Sequence, residues 1–92
     1  MYKRQGEEFV LIITHVEREG VGLAVERIRN RMEIQRFKFR DQELRVTASF
    51  GVAFLPAGEK GDFSRLLAEA DASLYEAKHR GRNRVEFTAV HT

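Results

Sequence analysis

The stretch LRVTASFGVAF, residues 44–54, shows the cleanest alternation in the chain. One face would carry Leu44, Val46, Ala48, Phe50, Val52 and Phe54. The other would carry Arg45, Thr47, Ser49, Gly51 and Ala53. Because successive side chains of a strand point to opposite faces, the pattern predicts a strand with one apolar face and one face of small residues. The small face suits close approach by a helix or a ligand.

A second strand is predicted at residues 8–14, where the run FVLII is apolar on both faces. Such a strand is typical of a central position, covered on both sides. Gly6-Glu7-Glu8-Phe9, at the start of this strand, is expected to form a turn that opens into the apolar run. A central strand needs neighbours on both edges, and this chain offers few candidates. We therefore expect the domain to be truncated at its N-terminus, with a missing half that supplies them.

Two helices are predicted from apolar residues at helical spacing. The first covers about residues 18–33, and its core stripe is Val21, Val25, Ile28 and Met32. The second runs from an N-cap at Asp62 to about Arg80 and is closed by Gly81. Its stripe is Phe63, Leu66, Leu67, Ala70, Leu74 and Ala77. Short strands at 37–39 and 85–87 and a turn at 40–42 complete an α+β fold, in which the helices flank one sheet.

Length and composition bound the classes of function. The 92 residues allow one small domain with a thin margin of stability. The chain has no cysteine, which excludes a disulfide framework or a thiolate metal site and suits a reducing compartment such as the cytoplasm. Its longest apolar run is too short to cross a bilayer, and no signal peptide is recognisable. A net charge of +2 could favour an anionic ligand such as a nucleotide.

Two adjacent acids, Glu7 and Glu8, follow Gly6 at the start of the apolar strand. Carboxylates bind hard cations such as Mg²⁺, and a glycine lets the backbone approach phosphate oxygens. The pattern is therefore compatible with a metal and phosphate site. For an isolated Gly-Glu-Glu, a charged hairpin tip is the preferred alternative.

Basic residues cluster in two places in the chain. Lys78 and Arg82 are four residues apart and would share one face if the helix persists that far. They could bind an anion, or they could be a solvated helix end that complements the helix dipole. Residues 36–40 interleave base and aromatic side chains, which we interpret as a basic edge strand in preference to a nucleic-acid site. The three histidines, His15, His79 and His91, lack the spacing of a metal site.

Three segments together resemble the diguanylate cyclase, or GGDEF, family. They are Gly6-Glu7-Glu8-Phe9-Val10-Leu11-Ile12, Val46-Thr47-Ala48-Ser49-Phe50-Gly51-Val52-Ala53, and Ala70-Asp71-Ala72-Ser73-Leu74-Tyr75-Glu76-Ala77-Lys78 continued by Arg80-Gly81-Arg82-Asn83-Arg84-Val85. Their order and spacing also fit, from residue 6 to about 87. The resemblance implies the C-terminal half of a nucleotide-cyclase-like domain, with a ferredoxin-like palm and an antiparallel or mixed sheet flanked by helices.

The family resemblance assigns roles to five residues. Glu7 takes the position whose carboxylate coordinates the catalytic metal, Mg²⁺ or Mn²⁺, and Glu8 is its supporting neighbour. Gly6, Lys78 and Arg82 would contact the phosphates of the nucleotide. The implied reaction condenses two GTP molecules into cyclic di-GMP and pyrophosphate, across a homodimer of such domains, as part of bacterial second-messenger signalling.

The chain also departs from the family pattern. Gln5 stands where the signature has a further glycine. Residues 1–5 can be encoded by a transposon end used in making sequencing libraries, so we expect them to be a non-native scar. Residues 6–88 would then be the domain half, and 89–92 a tail. An upstream sensory or regulatory domain is expected in the parent, which would be cytoplasmic or anchored to a membrane through missing regions. Alone, the 92 residues are expected to be inactive and only marginally folded.

Two other functions remain open at this point. The parent could be a degenerate, non-catalytic member that binds nucleotide or a partner and regulates another domain. It could instead be a basic nucleic-acid-binding domain. The second alternative is disfavoured because the sequence shows no stacking platform on a sheet face, and we expect no nucleic-acid partner.

Overall fold

The computed structural model describes residues 2–14, 18–55, 58 and 60–87. The elements are β1 (Tyr2–Thr14), α1 (Arg18–Ile34), β2 (Arg36–Phe39), β3 (Gln42–Leu55), α2 (Phe63–His79) and β4 (Val85–Phe87). This order confirms the predicted α+β fold of one sheet with two helices. Neither helix in the described ranges is long and apolar enough to cross a membrane.

The sheet is mixed and is built around β3. Strand β1 pairs with β3 in parallel from Tyr2 to Thr14, opposite 43–55. Strand β2 pairs with the start of β3 in an antiparallel hairpin, and β4 pairs in parallel with residues 50–52. Because β1 follows one edge of β3 along nearly its whole length, β2 and β4 share the opposite edge. The predicted edge position of the basic strand β2 is confirmed.

Each face of the sheet carries its own apolar cluster. On the α1 side, the buried residues are Val21, Val25, Ala48, Phe50 and Val52, with Leu11 and Ile13 packed against them. On the α2 side they are Ala53, Leu66 and Ala70, with Val10 and Ile12 packed against them. Strand β1 is therefore covered on both faces, as its apolar run predicts.

Gly51 is the point where α2 comes closest to the sheet. A Cβ placed on Gly51 would overlap the Ala70 carbonyl oxygen and would lie 2.7 Å from the Leu74 Cα. Backbone thus rests on backbone, which only glycine permits here. The small face of β3 receives a helix at this point, one of the two occupants that the sequence allowed.

The predicted turn at Gly6-Glu7-Glu8-Phe9 is wrong, because β1 begins at Tyr2 and these residues lie within it. Gly6 pairs with Thr47 in the parallel ladder, and its backbone does not adopt a positive φ. Strand β3 begins at Gln42, two residues earlier than predicted, and so offers partners along this stretch. Strand β3 is the only strand partner of β1 among the described residues, which agrees with the expectation that this chain offers few neighbours for it.

Two predicted core residues are exposed. Ile28 is 50% exposed because α1 is rotated so that the side carrying Gly22 and Arg29 faces inward. Phe63 is 67% exposed because it begins α2, nearly a turn before Leu66, the first buried residue of that helix. The predicted N-cap is confirmed, since the Asp62 carboxylate accepts a hydrogen bond from the Ser64 backbone N–H at 3.0 Å.

Candidate functional site

Glu8 meets the two predicted phosphate-binding cations on the α2 side of the sheet. Its Oε2 accepts a hydrogen bond from the Arg82 guanidinium at 2.9 Å and lies 3.5 Å from the Lys78 Nζ. Glu8 shares this face with Val10 and Ile12, which pack against the α2 cluster. We call Glu8, Lys78 and Arg82 the Glu8 cluster. The structure thus brings together three of the five residues to which the sequence assigned a role.

The end of α2 positions the two cations by different means. Lys78 lies in the last helical turn, which ends at His79. Gly81 then adopts a φ of +119°, and the Arg82 backbone N–H donates to the Ala77 carbonyl at 2.8 Å, closing the helix in a Schellman-type turn. The condition that the helix persists to Arg82 is therefore not met. Arg82 nevertheless reaches the same carboxylate oxygen as Lys78, because the chain reverses at Gly81.

The charges and exposure of the Glu8 cluster suit an anionic ligand. Two cations face one carboxylate, so the three side chains sum to one positive charge. Their exposed fractions are 37% for Glu8, 34% for Lys78 and 59% for Arg82. Exposed ion pairs of this kind are weak and exchange readily with other partners. A phosphate group could therefore replace the Glu8 carboxylate between the two cations.

Gly6 lies two residues before Glu8, on the same face of β1. A Cβ placed there would have only the Thr47 Oγ1 nearby, at 3.9 Å, which is ordinary contact. Glycine is thus not required at this position by packing within the described residues. The exposed backbone at Gly6 is open to a ligand, which is compatible with its predicted phosphate contact.

Glu7 lies on the opposite face of β1 from Glu8, because adjacent residues of a strand alternate. It shares its face with Phe9, whose ring stacks on Phe50 with centroids 5.2 Å apart. The structure therefore does not bring the two predicted metal ligands together. Within the described ranges, no group of three or more His, Asp or Glu residues could hold a metal ion.

One carboxylate beside two cations that are predicted to bind phosphate still fits Mg²⁺ chemistry. Mg²⁺ is usually bound through one or two carboxylates together with substrate phosphates and water. The Glu8 cluster offers such a carboxylate next to a place for phosphate, on the exposed side of the sheet. The metal roles of Glu7 and Glu8 remain predictions.

Sequence reasoning missed a polar network around Asn83, to which it assigned no role. The Asn83 backbone N–H donates to the Ser49 hydroxyl at 3.0 Å, and its Nδ2 donates to Glu33 at 2.6 Å. Its Oδ1 accepts a hydrogen bond from Arg29 at 2.8 Å. We call Arg29, Glu33, Ser49 and Asn83 the Asn83 network. The Glu26–Arg29–Glu33 spacing suggests helix ion pairs, but no local pattern connects them to residue 83.

The Asn83 network also shifts the ionisation of its charged members. A hydrogen bond to Glu26 raises the pKa of Arg29 above its ordinary value, so Arg29 stays charged. The hydrogen bond from Asn83, and then that from Arg29, lowers the pKa of Glu33 below its ordinary 4.5. Both charges are therefore maintained at neutral pH.

The remaining candidates do not join the site. His79 is exposed and its ring stacks on Tyr75, with centroids 3.9 Å apart. His15 and His91 lie outside the described residues, as do 88–92.

Comparisons with known proteins agree on one family. Residues 1–84 match the family described as diguanylate cyclase, GGDEF domain. The chain is 34% identical over 87 residues to the diguanylate cyclase DosC of Escherichia coli K12, covering 94% of this chain and 18% of that protein. It is 38% identical over 82 residues to a protein of the same strain named Probable diguanylate cyclase DgcF, covering 86% and 26%.

A third relative is the bifunctional diguanylate cyclase/cyclic di-GMP phosphodiesterase MucR of Pseudomonas aeruginosa. It is 36% identical over 78 residues, covering 85% of this chain and 11% of that protein. The chain thus spans between about a tenth and a quarter of the length of these curated relatives. No solved structure matches it significantly.

Proposed function

This chain belongs to the diguanylate cyclase GGDEF-domain family, and we propose that it is part of an enzyme that condenses two GTP molecules into cyclic di-GMP. The observation that supports this best is the convergence of Lys78 and Arg82 on Glu8, which makes a partly exposed cluster with a net positive charge that could bind phosphate. The names of the relatives support the same activity.

In the proposed reaction, Lys78 and Arg82 bind the terminal phosphates of one GTP. The negative charge that develops on the departing pyrophosphate is stabilised by their two positive charges, placed there before the reaction. Binding of phosphate displaces Glu8 from both cations. The Glu8 carboxylate then becomes available on the same face as the nucleotide.

The family resemblance assigns the metal ion to Glu7 as the main ligand and to Glu8 in support, and of these two only Glu8 lies on the face that carries Lys78 and Arg82. When bound, Mg²⁺ or Mn²⁺ lowers the pKa of the attacking hydroxyl and neutralises charge on the phosphates. The 3′-hydroxyl of each GTP attacks the α-phosphate of the other, and pyrophosphate leaves in line. Because one domain holds one GTP, the reaction requires two domains facing each other in a homodimer.

The whole protein would also have a regulatory domain and a defined location in the cell. An upstream sensory or regulatory domain would control how two such domains meet. The catalytic domain would act in the cytoplasm, where GTP is found, and the parent could be anchored to the membrane through other regions. A nucleic-acid partner is not part of the proposal.

The activity is tested in the full-length parent with the substitution Glu7→Gln. We expect cyclic di-GMP synthesis to be abolished and the fold retained, because the amide keeps the shape of the side chain but loses the charge that binds the metal. Product formation is followed by chromatography, and folding by circular dichroism. Near-normal turnover of the variant would refute the role of Glu7.

A non-catalytic, regulatory member of the family is the second candidate. The position of Glu7 and Glu8 on opposite faces of β1 favours it, since Lys78 and Arg82 could bind a nucleotide while the two predicted metal ligands stay apart. This candidate predicts that the full-length parent binds GTP without forming cyclic di-GMP. The same chromatographic assay decides between the two.

A further inference from the structure

Asn83 is the residue through which three elements meet at the turn after α2. Its side chain is held by Arg29 and Glu33 of α1, and its backbone N–H is held by Ser49 of β3. Ser49 is buried, with 3% of its surface exposed. The guanidinium of Arg29 is itself fixed by Glu26, through its Nε at 2.8 Å, and by Glu33 at 3.1 Å. The turn is thus anchored to parts of the molecule distant in sequence.

The anchored turn has an unfavourable backbone. Arg82 has a φ of +61° and Asn83 a φ of +48°, so two successive residues other than glycine adopt the left-handed conformation. Asparagine tolerates this conformation better than most residues, and arginine does not. Contacts on both sides therefore have to hold it. On the N-terminal side, the Ala77 carbonyl accepts a hydrogen bond from the Arg82 backbone N–H. On the C-terminal side, the Asn83 network holds the chain.

We propose that Asn83, held by Arg29 and Glu33, is a positioning residue that keeps the Arg82 guanidinium directed at the phosphate of the bound nucleotide. The inference rests on the proposed phosphate site and adds α1 to it. Arg82 is 59% exposed, so little packing directs its side chain, and the direction of its backbone sets the region that the charge can reach. A fixed backbone reduces the conformational entropy that Arg82 loses when it binds an anion.

The test uses the full-length parent, because the 92 residues alone are expected to be only marginally folded, with pyrophosphate, the leaving group of the proposed reaction, as the probe. Binding is followed by NMR titration at low ionic strength, and folding by circular dichroism. Arg82→Ala removes the charge and should weaken binding about tenfold, as expected for one charge-assisted hydrogen bond. Asn83→Gly keeps the left-handed backbone accessible and the backbone hydrogen bond to Ser49, but removes the side-chain anchors to Arg29 and Glu33, and should weaken binding about threefold to fivefold through the lost preorganisation.

A double-mutant cycle separates positioning from general destabilisation. If Asn83 acts through Arg82, then Asn83→Gly should have no further effect in the Arg82→Ala background. Additive losses would overturn the inference, as would unchanged binding by Asn83→Gly in a chain that keeps Arg82. If Arg82→Ala itself leaves binding unchanged, or if the unsubstituted chain does not bind pyrophosphate, the proposed phosphate site fails and the inference fails with it.

A second variant covers the case in which Asn83→Gly does not fold. Glu33→Gln weakens the hold on Asn83 while leaving the residues of the turn intact. Glu69→Gln is its charge-matched control, because it also removes one carboxylate from a helix but contacts Arg65 on the far part of α2. Pyrophosphate binding about twofold weaker in Glu33→Gln than in Glu69→Gln supports the inference. Equal affinities would contradict it.

Discussion

The Glu8 cluster and the Asn83 network lie side by side, yet they differ in how tightly their charges are held. In the Glu8 cluster a single carboxylate oxygen bridges two side chains that are 34% and 59% exposed. In the Asn83 network the Arg29 side chain is only 14% exposed, and hydrogen bonds reach it from α1 and from the turn. Neighbouring residues, Arg82 and Asn83, thus serve opposite needs. The charges of the Glu8 cluster are exposed enough to exchange with a ligand, and those of the Asn83 network are held in place by several hydrogen bonds.

Arg29→Ala should have the largest effect of the changes considered, because it disrupts the Asn83 network. This change removes the partner of Asn83 and Glu33 and should lower the free energy of unfolding by about 2 kcal/mol, because half-buried acceptors are left without a donor. The matched control is Arg65→Ala, which breaks an exposed pair with Glu69 and should change stability by less than about 0.5 kcal/mol. Urea denaturation measures both. Equal losses would show that the Asn83 network contributes no more to the free energy of unfolding than a surface ion pair does.

Glu8→Gln tests the Glu8 cluster in the same way. The substitution releases Lys78 and Arg82 from their carboxylate, so pyrophosphate should bind about fivefold more tightly at low ionic strength, and the gain should shrink as salt is added. Stability should change little, since the pairs are exposed. NMR titration of both proteins at low and at physiological ionic strength measures the effect. Weaker binding by the variant would show that Glu8 does not compete with phosphate for the two cations.

The smallest expected effect is a dependence on pH. The folded state lowers the pKa of Glu33 below 4.5, so its contribution to stability is present above that value and is lost as the pH falls through the lowered pKa. Below pH 4.5 the unsubstituted chain should therefore lose stability more steeply than Glu33→Gln does. Thermal unfolding monitored between neutral and acidic pH follows the difference. Parallel curves for the two proteins would contradict the assigned role of Glu33.

Regular periodicity made much of the fold predictable from the sequence. The alternation at 44–54 identified β3, and the predicted cap at Asp62 and the terminal glycine at Gly81 bounded α2. Gly6-Glu7-Glu8-Phe9 was misassigned as a turn because a glycine beside charged residues is typical of turns. The partner that keeps it extended, β3, is more than thirty residues away along the chain.

The candidate site was predictable only in part. The resemblance identified Lys78 and Arg82, and the structure brings both to Glu8. The separation of Glu7 from Glu8 follows from strand geometry, which the turn assignment concealed. The contacts of Asn83 could not be predicted, because Arg29 and Glu33 are fifty or more residues away in sequence and their charges resemble those of any solvated helix.

The contact at Gly51 sets a dimension of the proposed phosphate site. At this point helix α2 rests on β3 main chain to main chain, with no side chain between them that could repack. Glu8 extends from the strand next to β3, and Lys78 extends from the last turn of α2. The distance between the two backbones that carry Glu8 and Lys78 is therefore fixed by main-chain contact. An anion that takes the place of Glu8 would meet a cation whose backbone is held at this fixed height above the sheet, and substitutions on the outer surface of α2 would leave that height unchanged.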